Sequence, residues 1–251
     1  MRVAALYDIH GNLPALDAVL REVRENNVDH VVVGGDVIPG PMVRECLHRL
    51  LTLEYSVSFI RGNGEREVLA LLNGVESGAI PPAYRPMMRW VGGQLSEELQ
   101  QAIAAWPATT RLSVAGVGDV LFCHATPRSD SEIFLRTTPN EALLPVFADT
   151  KAAVVVCGHT HMQFDRYIGG VRVVNAGSVG MPFGEPGAYW LLLGPNVEPK
   201  VTPYDLEAAA DAVRATEYLQ REEFAARAVL RPPTEEQMLA AFSRAEIRRE
   251  G

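Results

Sequence analysis

The order of apolar segments in the first sixty residues constrains the fold of this chain more than any other feature of its sequence. A short continuous apolar run, Val3 to Tyr7, is followed by apolar residues at helical spacing and then by a second continuous run, His30 to Val33. A further helical stretch, Met42 to Leu51, and a third run, Val57 to Ile60, repeat the pattern. Strands that alternate with helices in this way predict a mainly parallel sheet with helices on its faces.

The predicted secondary structure changes twice in the middle of the chain. Residues 64–106 are helical and rich in loops, with prolines as breakers, and are predicted to form an insertion. From Thr110 onward strand-like runs predominate, and the turn at 116–119 predicts a β-hairpin. A helix is expected at about 139–149. Further strands are expected at 152–157, 164–168, 171–174, 188–193 and 197–202.

After Tyr204 the composition shifts to alanine, glutamate and arginine with helical periodicity. We expect at least two helices there, the last of which has Leu239, Phe242 and Ile247 on one face. The chain therefore divides into a domain over residues 1–205 and a helical extension over 206–251, which packs on that domain or on a partner subunit.

Composition excludes several classes of protein. Of the 251 residues, 47% are hydrophobic and 22% are charged, which is typical of a globular domain and not of a disordered chain. The net charge of −8 argues against binding of extended nucleic acid, which requires a basic face. No apolar run approaches the roughly 20 residues needed to cross a bilayer, and the N-terminus does not have the pattern of a signal peptide. We therefore expect a cytoplasmic protein with no membrane partner.

Five short segments collect most of the histidines, together with Asp and Asn, directly after predicted strands. They are Asp8-Ile9-His10, Gly35-Asp36, Gly62-Asn63-Gly64-Glu65, Cys123-His124 and Gly158-His159-Thr160-His161. Because ligands of open α/β sheets bind beyond the carboxyl ends of the strands, these loops are expected to converge in space. In an extended segment residues i and i+2 point the same way, so Asp8 and His10 suit one pair of ligands, and His159 and His161 another. Imidazole, carboxylate and amide oxygen donors suit Mn²⁺, Fe, Zn²⁺ or Ni²⁺ better than Ca²⁺.

In this order the five segments resemble the motifs of the calcineurin-like metallophosphoesterase superfamily, which run D-x-H, G-D, G-N-H-D/E, H and G-H-x-H. The resemblance covers about residues 1–205. Two further fragments, Asn175-Ala176-Gly177-Ser178 and Gly40-Pro41 followed by Glu45-Cys46, are similar to the small bacterial and archaeal phosphoesterases grouped with diadenosine-tetraphosphatase-like enzymes. The resemblance implies an α/β fold, a four-layer α/β/β/α sandwich of two mixed sheets flanked by helices.

The resemblance also implies a site with two divalent transition metal ions. The implied ligands are the Asp, His and Asn side chains of the five segments: Asp8, His10 and His161 for one ion, Asn63, His124 and His159 for the other, and Asp36 as the bridge between them. A hydroxide that bridges the ions, positioned by Asp36, would attack a small phosphorylated substrate.

The sequence departs from the family pattern at two positions. Many relatives have a histidine in the third motif, oriented by an aspartate in the second, that protonates the leaving oxygen. The corresponding residues here are Gly64 and Pro39. Since general acid catalysis is worth about 10² to 10⁴ in rate, its absence favours a phosphodiester or phosphoanhydride substrate over a phosphomonoester. His10 is a candidate proton donor only if it is not fully committed to metal.

Candidates for binding the substrate phosphate are Asn63, Arg66 and Arg128, because guanidinium groups suit phosphate. Each arginine nevertheless fits an ordinary solvated or salt-bridged surface residue better than a substrate ligand. Glu65 is expected to support the Asn63 loop and not to catalyse. The insertion, which carries Met87, Met88 and Trp90, fits either a lid over the substrate or a satellite hydrophobic cluster.

Three alternatives to the leading function stay open. The chain is a phosphomonoesterase, a protein phosphatase, or a noncatalytic metal-binding scaffold for protein interactions, as this fold is in the retromer complex. Gly64, Pro39 and Gly40 weaken the second reading, since phosphoprotein phosphatases carry a phosphate-binding arginine at the last of these positions. The presence of all seven implied ligands weakens the third. The C-terminal helices are the candidate interface of a homodimer.

Overall fold

The computed structural model describes residues 1–75 and 80–248. The strands are β1 (Val3–Leu6), β2 (His30–Val33), β3 (Ser56–Phe59), β4 (Thr109–Val114), β5 (Gly118–Cys123), β6 (Val154–Cys157), β7 (Phe164–Ile168), β8 (Val171–Asn175), β9 (Ala188–Leu193) and β10 (Val197–Thr202). The helices are α1 (Leu13–Glu25), α2 (Val43–Leu51), α3 (Asn63–Leu72), α4 (Arg85–Gly93), α5 (Glu97–Ala104), α6 (Asn140–Phe147), α7 (Leu206–Arg214), α8 (Arg221–Phe224) and α9 (Glu235–Phe242). A 3-10 turn, Pro82–Tyr84, precedes α4, and a π-helical segment, Ala225–Leu230, continues α8.

The strands form two mixed five-stranded sheets. Their orders are β10-β9-β1-β2-β3 in the first sheet and β4-β5-β6-β8-β7 in the second. In the first sheet β1, β2 and β3 are parallel, β9 pairs with β1 as an antiparallel strand, and β10 pairs antiparallel with β9 at the edge. In the second sheet β4 and β5 form the predicted antiparallel hairpin, while β5, β6 and β8 are parallel. Flanking helices complete the α/β/β/α sandwich, so the predicted fold class is confirmed.

Three hydrophobic clusters separate the four layers. The largest lies between the first sheet and helices from both the N-terminal and C-terminal parts of the chain. The second lies between the sheets and includes Ala5 and Val32 from one sheet and Phe122 and Val156 from the other. The third lies between the second sheet and α6. Because the central strands are apolar on both faces, they are buried between layers, as continuous apolar runs predict.

The first helix begins as its sequence predicts. The side chain of Asn12 accepts a hydrogen bond from the backbone N–H of Ala15 at 3.2 Å, and Pro14 occupies the first turn. Such a cap satisfies an N–H group that has no partner within the helix. The cap starts α1 directly after the Asp8-Ile9-His10 segment and so limits the length of that loop.

The insertion packs into the main core. Met87, Met88 and Val91 of α4 are buried in the cluster that covers the first sheet, and Trp90 packs against its edge. These side chains are therefore part of the principal core and not of a separate satellite cluster.

The C-terminal helices pack on the same core, but the last one differs from its prediction. Val213, Phe224 and Val229 join the cluster that covers the first sheet. No residue of α9 is buried, and the helix ends at Phe242. The expectation that Ile247 continues its apolar face is therefore wrong. Ile247 lies beyond the helix, where its N–H donates to the carbonyl of Ile133 at 2.8 Å and its side chain packs against the third cluster.

Within the described residues, helices are too short or too polar to cross a bilayer.

Candidate metal centre

The predicted ligands lie at one edge of the stacked sheets. They follow the carboxyl ends of five strands: Asp8 and His10 after β1, Asp36 after β2, Asn63 after β3, His124 after β5, and His159 and His161 after β6. Parallel strands in neighbouring positions bring these loops together, as the sequence predicted. The two sheets contribute from opposite sides, so the site lies where the layers of the sandwich meet.

The backbone at these positions is strained. Five of the predicted ligands have a positive φ: Asp8 (54°), His10 (47°), Asp36 (52°), His159 (66°) and His161 (59°). Within the described residues, just two other non-glycine positions share this left-handed conformation, Asn27 and Lys151. Left-handed backbone is costly for L-residues and persists where surrounding structure enforces it, commonly at functional sites.

The left-handed turns also correct one expectation. Asp8 with His10, and His159 with His161, were expected to converge because residues i and i+2 of an extended segment point the same way. That reason is wrong, since none of the four lies in a strand and all four are left-handed. Their side chains reach the site through consecutive tight turns at the strand ends.

Asp8, His10 and His161 form the first group of potential metal donors, with one atom from each within 4.8 Å of the others. The Nε2 atoms of His10 and His161 lie 3.2 Å apart. Nδ1 of His10 donates to the carbonyl of Pro39 at 3.1 Å, and Nδ1 of His161 donates to the carbonyl of Met181 at 2.7 Å. Because a neutral imidazole carries a single N–H, both Nε2 atoms present lone pairs to each other.

Asp8, Asp36 and His124 form a second group. Nδ1 of His124 donates to the carbonyl of Gly34 at 3.0 Å, so Nε2 again faces the centre of the site. That Nε2 atom lies 3.5 Å from Oδ1 of Asp36 and 3.2 Å from Oδ1 of Asn63. The ring of His159 lies against that of His124 with 5.2 Å between centroids. Asp36 stands between the groups, with Oδ2 3.8 Å from Nε2 of His10.

The donors fit divalent cations. Oδ1 of Asp8 is buried and has no hydrogen-bond partner, and an unpaired buried carboxylate oxygen is costly unless a ligand satisfies it. Burial lowers the pKa of His10 and of His159 to about 3, which keeps both rings neutral and able to coordinate. Burial raises the pKa of Asp36 well above its usual value, a penalty that a bound cation would relieve. A bound cation would satisfy the nitrogen and oxygen lone pairs that converge at this site.

Glu65 holds the Asp36 loop. Its carboxylate is fully buried and accepts four backbone N–H groups, from Gly62 (2.8 Å), Asp36 (2.9 Å), Val37 (2.7 Å) and Ile38 (3.2 Å). The expectation that Glu65 supports the Asn63 loop is therefore too narrow, because the same side chain ties that loop to the one that carries Asp36.

The end of β8 and the segment that follows it position ligands from both sheets. The amide of Asn175 donates to the carbonyl of Gly158 at 2.7 Å, beside the turn that carries His159. The hydroxyl of Ser178 donates to the carbonyl of Asp8 at 2.7 Å. From the sequence, this segment was noted for its resemblance to the phosphoesterase family. No role was predicted for either side chain.

Phe183 was missed by the sequence analysis. Its ring stacks on that of His161, with centroids 5.0 Å apart and planes inclined by 21°. An isolated aromatic residue in a glycine- and proline-rich loop carries no sequence signal for such a contact.

The glycines near the site leave no room for larger side chains. A Cβ atom on Gly64 would lie 2.2 Å from the carbonyl oxygen of Ile38, and the N–H of Gly64 donates to Oδ1 of Asp36 at 2.8 Å. A Cβ atom on Gly40 would lie 1.8 Å from the carbonyl oxygen of His10. With this backbone, neither a third-motif histidine nor the arginine of protein phosphatases fits.

The two candidate arginines are held by carboxylates. Arg66 forms a two-pronged ion pair with Asp130, at 2.6 Å and 2.9 Å, and Arg128 pairs with Glu132 at 2.7 Å. Arg66 follows the predicted ligand Asn63 in the sequence, and Arg128 follows the predicted ligand His124. Their role in binding substrate, like that of Asn63, stays a prediction.

Comparison with known proteins gives consistent results. A family model for the calcineurin-like phosphoesterase superfamily domain matches residues 1–194. An uncharacterized protein of Methanocaldococcus jannaschii is 25% identical over 182 residues, which is 70% of this chain and 69% of the relative.

Two solved structures share the fold. A hypothetical protein of Pyrococcus horikoshii superposes with a TM-score of 0.73 at 20% identity, over 93% of this chain and 99% of the other. A metallophosphoesterase from Sphaerobacter thermophilus superposes with a TM-score of 0.67 at 23% identity, over 85% of this chain and 93% of the other. At this identity the likeness establishes the arrangement of strands and helices.

Proposed function

This chain belongs to the calcineurin-like phosphoesterase superfamily, whose members are metal-dependent phosphoric ester hydrolases, and we propose that it hydrolyses a small phosphodiester or phosphoanhydride with two divalent transition metal ions. The observation that carries the proposal is the convergence of seven potential donors from five strand ends on a site where Oδ1 of Asp8 is buried without a partner.

We assign the donors to two ions. Asp8, His10 and His161 would hold the first; the first group in space contains the same three residues. Asn63, His124 and His159 would hold the second, with Asp36 between both. Manganese, iron, zinc and nickel all suit imidazole and carboxylate donors.

The side chains of the site orient and stabilise the reacting groups. When bound, the cations supply a nucleophile from water at neutral pH and neutralise charge on the phosphoryl oxygens. The Nδ1 hydrogen bonds of His10, His124 and His161 to backbone carbonyls fix the direction of each Nε2 lone pair. Glu65 and the N–H of Gly64 hold Asp36 at the centre of the site. His10 donates its N–H through Nδ1 to the carbonyl of Pro39 and has a pKa of about 3, which favours a ligand role for Nε2 over proton donation.

The preference for diesters and anhydrides follows from the missing acid. Gly64 and Pro39 offer no side-chain proton donor, and the backbone around Gly64 excludes one. A leaving group that departs as a stable anion does not require protonation, whereas a basic alkoxide does. The substrate is expected to be small, because the acidic chain, with a net charge of −8, would repel long polyanions.

The alternatives are weakened for separate reasons. A phosphomonoesterase or protein phosphatase would lack the acid, and a protein phosphatase would also lack an arginine at Gly40. A noncatalytic scaffold would not need to hold five potential metal ligands in a costly left-handed backbone conformation. A homodimer through the C-terminal helices and a cytoplasmic location stay predictions.

The test is an assay of Mn²⁺-loaded protein with an aryl phosphodiester, an aryl phosphomonoester and diadenosine tetraphosphate. We expect hydrolysis of the diester and the anhydride to exceed that of the monoester, and Asp36→Asn to abolish both. The control is Asp165→Asn on β7, which removes a surface ion pair with Arg172 of β8. If wild type and Asp36→Asn hydrolyse all three compounds equally poorly, the enzymatic assignment fails.

A further inference from the structure

A pocket of about 370 Å³ lies beside the metal centre. His10 and Pro39 line it on the side of the predicted ligands, and Met181 and Phe183 line the adjoining wall. The remaining walls come from the insertion and the C-terminal helices: Tyr84, Met87, Tyr218, Gln220, Glu223, Phe224, Arg227, Ala228, Pro233 and Met238. Its size falls within the range of small-molecule binding sites.

We propose that this pocket, called here the aryl pocket, binds a planar aromatic group of the ester while the phosphate lies at the metal centre. The inference rests on the proposed function, since it assumes that the metal centre binds a phosphate. It adds the chemical class of the organic group that the substrate carries.

The lining residues favour an aromatic ring. Four aromatic residues and three methionines make up half of the fourteen lining residues: Tyr84, Phe183, Tyr218 and Phe224, with Met87, Met181 and Met238. Aromatic faces and polarizable thioethers pack well against flat rings. The polar side chains of Gln220 and Arg227 provide N–H donors for polar atoms at the edge of such a ring.

The pocket is continuous with the metal centre. His10 contributes to both, so the phosphate and the organic group of one molecule can occupy neighbouring sites. Phe183, in the pocket wall, stacks on the ring of His161. The aromatic surface thus begins at a predicted ligand and extends away from it.

The walls are fixed by contacts between distant parts of the chain. Tyr218 packs edge-on against Trp90 of the insertion, with centroids 5.6 Å apart, and against Phe224 at 6.1 Å. On the opposite side, the N–H of Gly184 donates to the carbonyl of Pro233 at 2.9 Å. An ion pair between Arg136 and Glu235 connects the start of α9 to the loop that precedes α6. A pocket held in this way loses little conformational entropy when a ligand binds.

Most residues that line the pocket lie outside the part of the chain that supplies the predicted metal ligands. All seven predicted metal ligands lie within residues 1–194, the part that matches the family. The eight wall residues from Tyr218 to Met238 lie beyond it. The predicted metal ligands thus come from the family region alone, whereas the pocket combines six residues of that region with eight from the C-terminal segment.

The test compares phenylphosphonate with methylphosphonate, whose carbon–phosphorus bonds are not hydrolysed. Calorimetric titration of Mn²⁺-loaded protein measures both affinities, and the phosphonate group is common to the two ligands. We expect phenylphosphonate to bind about tenfold more tightly, because the ring buries more apolar surface than the methyl group. Tyr84→Ala and Met238→Ala should each lower this ratio to about threefold. Tyr167→Ala, which removes a 64% exposed tyrosine from β7, should leave it unchanged.

Several results would overturn the aryl pocket. They are a wild-type affinity ratio near one, no binding of either phosphonate, a ratio unchanged in both pocket variants, or an equal drop in Tyr167→Ala. The wild-type ratio decides without any variant, so a variant that misfolds does not weaken the test. Tight phenylphosphonate binding without hydrolysis of any ester would contradict the proposed function alone. Hydrolysis combined with an affinity ratio near one would contradict the aryl pocket alone.

Discussion

The Nε2 atoms of His10 and His161 face each other at 3.2 Å while both Nδ1 atoms donate to backbone carbonyls. When each ring carries its N–H on Nδ1 alone, two acceptor lone pairs meet at Nε2, and Asp8 Oδ1, 3.5 Å from Nε2 of His161, adds a further acceptor. A divalent cation between these atoms turns the repulsion into coordination. Metal is therefore expected to stabilise the folded chain as well as to support its chemistry.

Metal binding should be visible in thermal unfolding. At a free Mn²⁺ concentration 100 times its dissociation constant, one site adds about 2.7 kcal/mol to the free energy of unfolding. For a chain of this length, that corresponds to a rise in Tm of about 5 °C or more over the EDTA-treated protein. His161→Ala should lose most of this rise, whereas His48→Ala, at an exposed position on α2, should keep it. Equal rises in the two variants would contradict the assignment of His161.

Glu65→Gln should destabilise the protein by about 3 kcal/mol. The amide has one acceptor oxygen where the carboxylate has two, and its NH₂ group would face backbone N–H donors. Chemical unfolding in urea measures the change, and Glu217→Gln at an exposed position is the control. A loss below about 0.5 kcal/mol would show that the four hydrogen bonds do not hold the Asp36 loop.

Gly64→His should not restore acid catalysis. The new Cβ would meet the carbonyl of Ile38 at 2.2 Å, so the loop must shift, and Asp36 loses the N–H that positions it. We expect a loss of more than about 2 kcal/mol in stability, as for other strained core substitutions, and lower activity with every ester. Gly93→Ala, where the Cβ meets nothing within 4 Å, is expected to be neutral or slightly stabilising. Higher phosphomonoesterase activity in Gly64→His would refute this reading.

The metal-free protein should lose stability in mild acid. The pKa of His10 and that of His159 are about 3 in the folded chain because both rings are buried, against about 6.5 when unfolded. Between these values the unfolded chain binds more protons, so the free energy of unfolding falls as the pH falls. From about pH 7.5 to 5.5 the pair should cost about 2 to 3 kcal/mol, measured by urea unfolding in EDTA. Although burial opposes it, the carboxylates of Asp36 and Asp8 raise the pKa of His124, which acts in the opposite direction in wild type and variant alike, so the difference between the two proteins is the test. His159→Asn should show a smaller loss than wild type, and an equal loss in both would contradict the burial of His159.

Many strands and their ends were predictable because each is indicated by a short stretch of sequence. The runs from His30 to Val33 and at 188–193 match observed strands, because continuous apolar segments bounded by turns are typical of buried strands. The meeting of Asp8 with Asp36 follows from the rule that neighbouring parallel strands end at the same edge of a sheet. His124 follows a strand of the other sheet, so its approach to Asp36 depends on how the two sheets pack.

The remainder depends on contacts that no local pattern encodes. The left-handed backbone at Asp8 is imposed by the loops around it and not by its residue type. Ile247 leaves the helical pattern because α9 ends at Phe242 and the chain then pairs with Ile133. The aryl pocket joins Tyr84 to Met238, more than half the chain apart, and its existence follows from tertiary packing alone.

The crowding around Gly64 also bears on how such a chain can evolve. A single codon change cannot introduce a third-motif histidine, because the carbonyl of Ile38 occupies the space that its first side-chain atom needs. The loop between Asp36 and Pro39 would have to be rebuilt first, and Glu65 holds that loop by four hydrogen bonds. Gaining the acid would therefore require several coupled substitutions in the loops that hold Asp36.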